Sequence, residues 1–275
     1  TEKFKYIFDY LNHKMKIFIT GNKGLIGSAI QNSLKLYHEV DGIDKKDLSH
    51  KDISIGLALS NKKFDMIIHC ASNCLIREVI KDPDLARENI NSCFDVMEFA
   101  RRTGCKKVIM FSSSRVQHSN KNPYTVSKQF NEQICEAYKE CYGIDYLIIQ
   151  PECVWSEEED PVRVIPNWIN KAINNKPIIV FGDKKKELTP IHIDDFMKEF
   201  LKIFKQFDQL KGSTFPISGF DHKVINLIKL IKEFTGSRSK IKFMKQETSQ
   251  PQQSKNKNSS CRSDAFYNKL KEIFE

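Results

Sequence analysis

Lys16-Ile17-Phe18-Ile19-Thr20-Gly21-Asn22-Lys23-Gly24-Leu25-Ile26-Gly27 decides how the rest of the chain is read. Lys16 to Thr20 is a short apolar strand, the glycines make a tight turn, and a helix runs from about Leu25 to Tyr37. Glycines between a strand and a helix let backbone approach a pyrophosphate closely. The free N–H groups at the helix start then favour its negative charge. Gly21, Lys23, Gly24, Leu25, Ile26 and Gly27 are therefore the candidate phosphate cradle. Glu39 to Ile43 reads as a second strand, ended by Asp44, 17 residues after Gly27. An acid there accepts hydrogen bonds from an adenosine ribose and repels a 2′-phosphate, which favours NAD. Lys45 and Lys46 pull toward NADP, the alternative. Asp52 and Ile53 are candidates to flank the adenine.

Outward from this unit, Met66 to Cys70, Lys107 to Phe111 and Tyr146 to Gln150 are further apolar runs of strand length. Helical patterns lie between them: Ala86, Ile90, Cys93, Met97 and Ala100 share one face after Pro83, and Cys135, Tyr138 and Tyr142 belong to another helix. Strands alternating with helices imply an α/β fold, a Rossmann-type doubly wound parallel sheet covered on both faces. After Pro151 strands become fewer and prolines punctuate the chain, which reads as a smaller C-terminal substrate lobe. The expected organisation is a helical extension over 1–14, a cofactor domain over 15–153 and a substrate lobe over 154–275. The helix after Asp195 is expected to return to the cofactor domain. Residues 246–263 are polar and read as a loop or mobile segment.

The 275 residues suffice for one large α/β domain with a lobe, and 40% hydrophobic content argues against global disorder. No run reaches the roughly 20 apolar residues of a membrane span. The N-terminal stretch carries no signal-peptide pattern, so the expected compartment is the cytoplasm, with no membrane partner. The eight cysteines show no Cys-x-x-Cys pair and no zinc spacing; they read as reduced thiols, with no metal site. The net charge of +9 includes dispersed lysines such as Lys184-Lys185-Lys186, a solvated face. No basic-aromatic module points to nucleic acid.

Tyr124 and Lys128, four apart at the start of a helical stretch, fall on one helix face. A cation beside a phenol favours the phenolate, and such a tyrosine can exchange a proton with a sugar hydroxyl near neutral pH. Lys128 could also hold the nicotinamide ribose. Ser112-Ser113-Ser114 directly follows a strand, and ligands of open parallel sheets sit beyond the carboxyl ends of strands. Tyrosine four before lysine is common on helix surfaces. Its weight here comes from order: glycine loop, strand-end acid, strand-end serines, then Tyr-x-x-x-Lys.

With these residues in place, the sequence resembles the extended short-chain dehydrogenase/reductase superfamily, in its NAD-dependent sugar-nucleotide epimerase/dehydratase branch, from about Met15 to Asp195. Further matching motifs are His69-Cys70-Ala71-Ser72, Asp82-Pro83…Asn89, Ser112 to Val116, Tyr124 to Lys128, and Gly182-Asp183 with Ile191 to Asp195. The resemblance implies Tyr124, Lys128 and Ser113 as catalytic residues, and Cys70, Ala71, Ser72, Asn89, Lys128 and Pro151 around the cofactor. It implies hydride transfer at a ring hydroxyl carbon, often C4, of a nucleotide-sugar substrate. A homodimer through the tyrosine-bearing helix is implied as well.

The departures lie on the substrate side. Ser114 and Arg115 stand where 4,6-dehydratases of the family carry Asp-Glu, which counts against dehydration. The family's Arg-Pro-x-Asn-x-Tyr-Gly reads Gln150-Pro151-Glu152-Cys153-Val154-Trp155-Ser156, and Leu188 aligns with an arginine that often grips the nucleotide diphosphate. Ser114, Arg115, Glu152, Cys153 and Arg262 are the candidate substrate residues. Trp155 reads equally as cleft lining or core. His69 is read as a buttress of the loop, and Asp194-Asp195 as a cap on the following helix. The expected function is an NAD-dependent sugar-nucleotide epimerase. The alternatives are an NADPH-using 4-keto-sugar reductase, a reductase of a non-sugar carbonyl, and a non-catalytic cofactor-binding regulatory protein.

Overall fold

A computed structural model describes residues 14–47, 62–118, 121–245 and 264–275. The expectations for Asp52, Ile53, Arg262, the N-terminal helix and the 246–263 segment lie outside the described residues. The chain divides into two compact units. The first takes the described residues up to Val116, then Asn122–Gln150 and Phe200–Phe215; the second takes the residues at 117–121, Pro151–Glu199 and those from Pro216 onward.

The first unit is built on a six-stranded sheet. Its strands are β1 (Lys16–Thr20), β2 (Glu39–Ile43), β3 (Met66–His69), β4 (Lys107–Phe111), β5 (Asp145–Pro151) and β10 (Ser213–Ile217), in the order β10-β5-β4-β3-β1-β2. The ladders β2–β1, β1–β3, β3–β4 and β4–β5 are all parallel. Strands buried on both faces should read as continuous apolar runs. Ile17, Ile19, Ile67, Ile68, Val108, Ile109, Leu147 and Ile149 are indeed fully buried. Each such side chain contributes about 1.5–3 kcal/mol by leaving water. β2, at the edge, stays partly exposed along its length. From β1 the chain passes to β2 on one side and later to β3 on the other. This reversal puts a switch point at the carboxyl ends of β1 and β3, where open α/β sheets bind ligands.

Three helices of this unit matter for the site. α1 (Leu25–Leu34) follows β1. After α2 (Ile76–Lys81), α3 (Asp84–Thr103) begins behind Pro83 and ends at Gly104. α4 (Pro123–Tyr142) starts where the Asn122 side chain accepts a hydrogen bond from the Thr125 N–H at 3.0 Å, with Pro123 as its first residue. That cap fixes where the helix begins, and so places Tyr124 in its first turn. α3 and α4 close over Cys93, Val96, Met97, Phe99, Ala100, Cys135 and Tyr138 in one core with β3, β4 and β5.

The second unit has its own core of Trp155, Ile165, Trp168, Ile169, Ile178, Val180, Leu227, Ile228, Ile231, Phe266 and Leu270, of which Ile165, Trp168 and Ile169 come from α5 (Val164–Ile173). The sequence suggested few strands here. The structure instead has β6 (Cys153–Trp155), β7 (Ile178–Phe181), β8 (Glu187–Leu188), β9 (Pro190–His192), β11 (His222–Lys223) and β12 (Ile241–Met244). They pair as β6–β9, β7–β12 and β8–β11. Runs of two to four residues are too short to show a period, which is why the pattern hid them. Trp155, 1% exposed, is core rather than cleft lining.

Candidate active site

The cradle shows why its glycines are needed. Gly21 has φ +74°, and a Cβ there would lie 2.6 Å from the Ala71 nitrogen. A Cβ on Gly27 would lie 2.1 Å from the Gly21 carbonyl oxygen. Gly21 is left-handed and β1 touches β3's loop through it; Gly27 lets α1 rise directly over the turn. Gly24 is the N-cap of α1 and makes no side-chain cap, and the first turn carries no acid. The N-terminal amides of this ten-residue helix thus carry their positive dipole end with no acidic residue in the helix's own first turn. A turn tightened by Gly21 and Gly24 in front of a helix start is the arrangement a dinucleotide pyrophosphate fits.

Asp44 is buried beside this turn. Its carboxylate accepts from the Lys23 N–H at 3.2 Å and the Lys46 N–H at 3.0 Å, which leaves lone pairs on both oxygens for a ribose. The lysines nearby are engaged: Lys23 pairs with Asp47, and Lys45 donates to Asn73 Oδ1 at 3.0 Å.

His69 and Asn89 support the loop after β3. The Thr20 hydroxyl and His69 Nδ1 lie 2.7 Å apart, and Thr20 Oγ1 accepts from the Ala71 N–H at 3.4 Å. Burial, and then the charge of Lys128, hold the His69 pKa down to about 3, so the ring is neutral. Asn89 accepts from the Asn73 N–H at 2.7 Å and donates to the Asn73 carbonyl at 3.1 Å. It also reaches Ser127 Oγ at 3.4 Å, joining this loop to α4. Asn89 therefore shapes the loop bearing Cys70, Ala71 and Ser72 through its backbone. Burial pushes the Cys70 thiol up, so it stays protonated.

Tyr124, Lys128 and Ser113 all belong to the first unit. Lys128 is 3% exposed; its ammonium donates to the Phe111 carbonyl at 3.0 Å and lies 5.9 Å from the centroid of the Tyr124 ring. Burial lowers its pKa, against an opposing pull from Cys74, Cys93, Cys70 and Glu132. The Tyr124 ring packs on Val79 and Ala86. The three serines part company. Ser112 donates to Glu132, whereas Ser113 Oγ accepts from the Arg115 N–H at 3.3 Å, and Ser114 opens a 3-10 turn. Glu132 was missed in the sequence; its position four after Lys128, on the face of Tyr124, was the available signal.

The remaining candidates fall elsewhere. Pro151, Glu152 and Cys153 belong to the second unit, where the Glu152 N–H donates to the Ile217 carbonyl at 3.1 Å and Cys153 packs on the apolar core. Leu188 packs on the same core. α6 (Ile193–Lys205) already contains Asp194 and Asp195. It is His192 that caps it, Nδ1 accepting from the Asp194 N–H at 3.2 Å and Nε2 lying 2.9 Å from Glu157. A cleft of about 400 Å³ in the second unit, lined by His192, Asp195, Asn268 and Lys269 among others, includes none of the described candidates. No cluster of three or more metal-ligating side chains occurs among the described residues, and no helix among them is long and apolar enough to cross a membrane.

Residues 17–218 match the model of a family described as the NAD dependent epimerase/dehydratase family. The chain is 24% identical over 277 residues to the uncharacterized UDP-glucose epimerase YtcB of Bacillus subtilis, covering 86% of this chain and 87% of YtcB. It is 20% identical over 275 residues to dTDP-glucose 4,6-dehydratase of Escherichia coli, covering 79% and 75%. Its fold is similar to the crystal structure of UDP-glucuronic acid 4-epimerase from Bacillus cereus, solved with UDP-glucuronic acid and NAD. The TM-score is 0.77 at 20% identity, covering 94% of this chain and all of that one.

Proposed function

From a chain that belongs to the NAD dependent epimerase/dehydratase family, we propose a 4-epimerase of nucleotide-linked sugars, with NAD held in the cradle at Gly21–Gly27. The observation that carries this reading is Lys128: an ammonium 3% exposed, fixed to the Phe111 carbonyl and set beside the Tyr124 ring. Burying a charge is costly and is retained where it has work to do.

NAD, when bound, supplies the acceptor for the hydride that leaves the sugar carbon and the donor that returns it. Tyr124 Oη takes the proton of the ring hydroxyl as the C–H bond breaks, and gives it back when the carbon is reduced from its other face. Lys128 supports the negative charge on Tyr124 and would hold the nicotinamide ribose. Ser113 Oγ hydrogen-bonds the same sugar oxygen. Elimination has no support at positions 114 and 115, where Ser114 and Arg115 offer no carboxylate. Arg115, in the same unit as Tyr124 and Ser113, is the proposed sugar contact. We also propose a homodimer through α3 and α4, which leave Phe94, Val126 and Tyr142 exposed.

Tyr124→Phe tests the role of the phenol. With UDP-glucose, UDP-glucuronate and dTDP-glucose as probes, turnover falls by roughly 10²–10⁴ while NAD binding stays within about threefold. Unchanged turnover would overturn the assignment.

A further inference from the structure

We propose that Glu132 is a positioning residue of this site, a clamp that takes up the hydroxyl of Ser112 and so leaves Ser113 as the serine presented to substrate. The inference rests on the reading of Tyr124, Lys128 and Ser113 given above.

Three consecutive serines follow β4, and nothing in their chemistry ranks one above another. Their bonding does. The Ser112 N–H continues the sheet by donating to the Ile149 carbonyl at 2.8 Å. Its hydroxyl is directed to α4, where it donates to Glu132 Oε1 and lies 3.4 Å from the Lys128 carbonyl. The same Glu132 oxygen accepts from Gln150 Nε2 at 2.8 Å. One carboxylate oxygen therefore joins the end of β4, the end of β5 and the helix that carries Tyr124 and Lys128.

The spacing gives the clamp its purpose. Tyr124, Lys128 and Glu132 recur at four-residue steps along α4, so they line one stripe of the helix. Lys128 ties that stripe to β4 through the Phe111 carbonyl, and Glu132 ties it to β4 one residue further on, at Ser112. Two successive residues of β4's end are thereby fixed to α4 one helical turn apart. Ser113 comes next, and its position relative to Tyr124 is set by both ties. Losing the acceptor takes from Ser112 and Gln150 the charged partner they share in a partly buried place. Misplacement by about 1 Å can cost roughly 10²-fold in rate, so a loosened turn should appear in kcat before it appears in binding.

Two substitutions separate this role from general stability. Glu132→Ala removes the clamp; Glu132→Gln keeps an oxygen at the same reach for both donors. With NAD bound and UDP-glucose, UDP-glucuronate or dTDP-glucose as probe, Glu132→Ala lowers kcat at least about tenfold with KM within about threefold, and Glu132→Gln restores kcat to within about threefold of the parent. In the same proteins, amide hydrogen exchange over residues 112–115 rises in Glu132→Ala and not in Glu132→Gln. Should Glu132→Ala fail to fold, Ser112→Ala gives the same test, with lower kcat and faster exchange at 112–115 expected. Parent-like kcat and exchange in either alanine variant would overturn the clamp, as would a Glu132→Gln protein as impaired as Glu132→Ala. The exchange arm needs no substrate. A parent enzyme inactive on all three probes would therefore sink the proposed reaction, while exchange still decides the clamp.

Discussion

Asp44 and Leu188 both stand at positions where the sequence pattern points to a ligand, one in each unit. Asp44 is held by two backbone N–H groups of the turns around it, at the carboxyl end of β2. Leu188 lies against the second unit's apolar core, as do Cys153 and Trp155. The difference teaches where constraint resides. The proposed cradle would bind through backbone, and its sequence is dictated by steric fact: no side chain fits at Gly21 or Gly27. A substrate lobe binds through side chains, which can be exchanged for apolar ones while the lobe keeps its core. In this chain the glycine turn keeps its spacing, while Leu188 and Cys153 lie on an apolar core.

The sharpest way to break this contrast is a matched pair of substitutions. Gly21→Ala forces a Cβ into φ +74° and to within 2.6 Å of the Ala71 nitrogen. It should weaken NAD binding by roughly a hundredfold, about 2.7 kcal/mol, in a calorimetric or fluorescence titration. Leu188→Met, in the second unit, should cost under about 1.5 kcal/mol of stability and leave NAD affinity unchanged. Equal losses in the two variants would remove the distinction.

A pH-dependent effect sharpens the account of the first unit. His69 is neutral in the folded state with its pKa at about 3, against 6.5 when free. Below pH 6.5 the unfolded chain takes up a proton that the folded one does not, so stability present above that pH is lost as pH falls toward about 3. Urea melts should show the parent losing about 1.4 kcal/mol per pH unit more than His69→Gln across that window. Parallel curves would mean that His69 is not held neutral by the fold.

The same contrast explains how much was legible in the sequence. Strands β1, β3, β4 and β5 showed themselves because burial on both faces demands unbroken apolar runs, and the glycine turn because its geometry excludes side chains. The candidate roles of Tyr124, Lys128 and Ser113 were drawn from their order along the chain. The different bonding of the three serines was not legible, since it depends on Glu132 reaching across from α4 to Ser112, a pairing 20 residues apart. The capping of α6 by His192 was hidden for a related reason: two acids at a helix start suggest a cap, and only the backbone shows that the helix has begun before them. The strands of the second unit were too short to leave a period.

The proposed reaction is tested most directly by incubating the NAD-loaded protein with UDP-glucose, UDP-glucuronate and dTDP-glucose in deuterium oxide and following the sugar by proton NMR. The account predicts that at least one probe converts to its 4-epimer with its original hydrogen kept at C4, because the hydride is removed and returned without meeting solvent. Deuterium at C4 of the product, or a protein with NAD bound that converts none of the three, would contradict it.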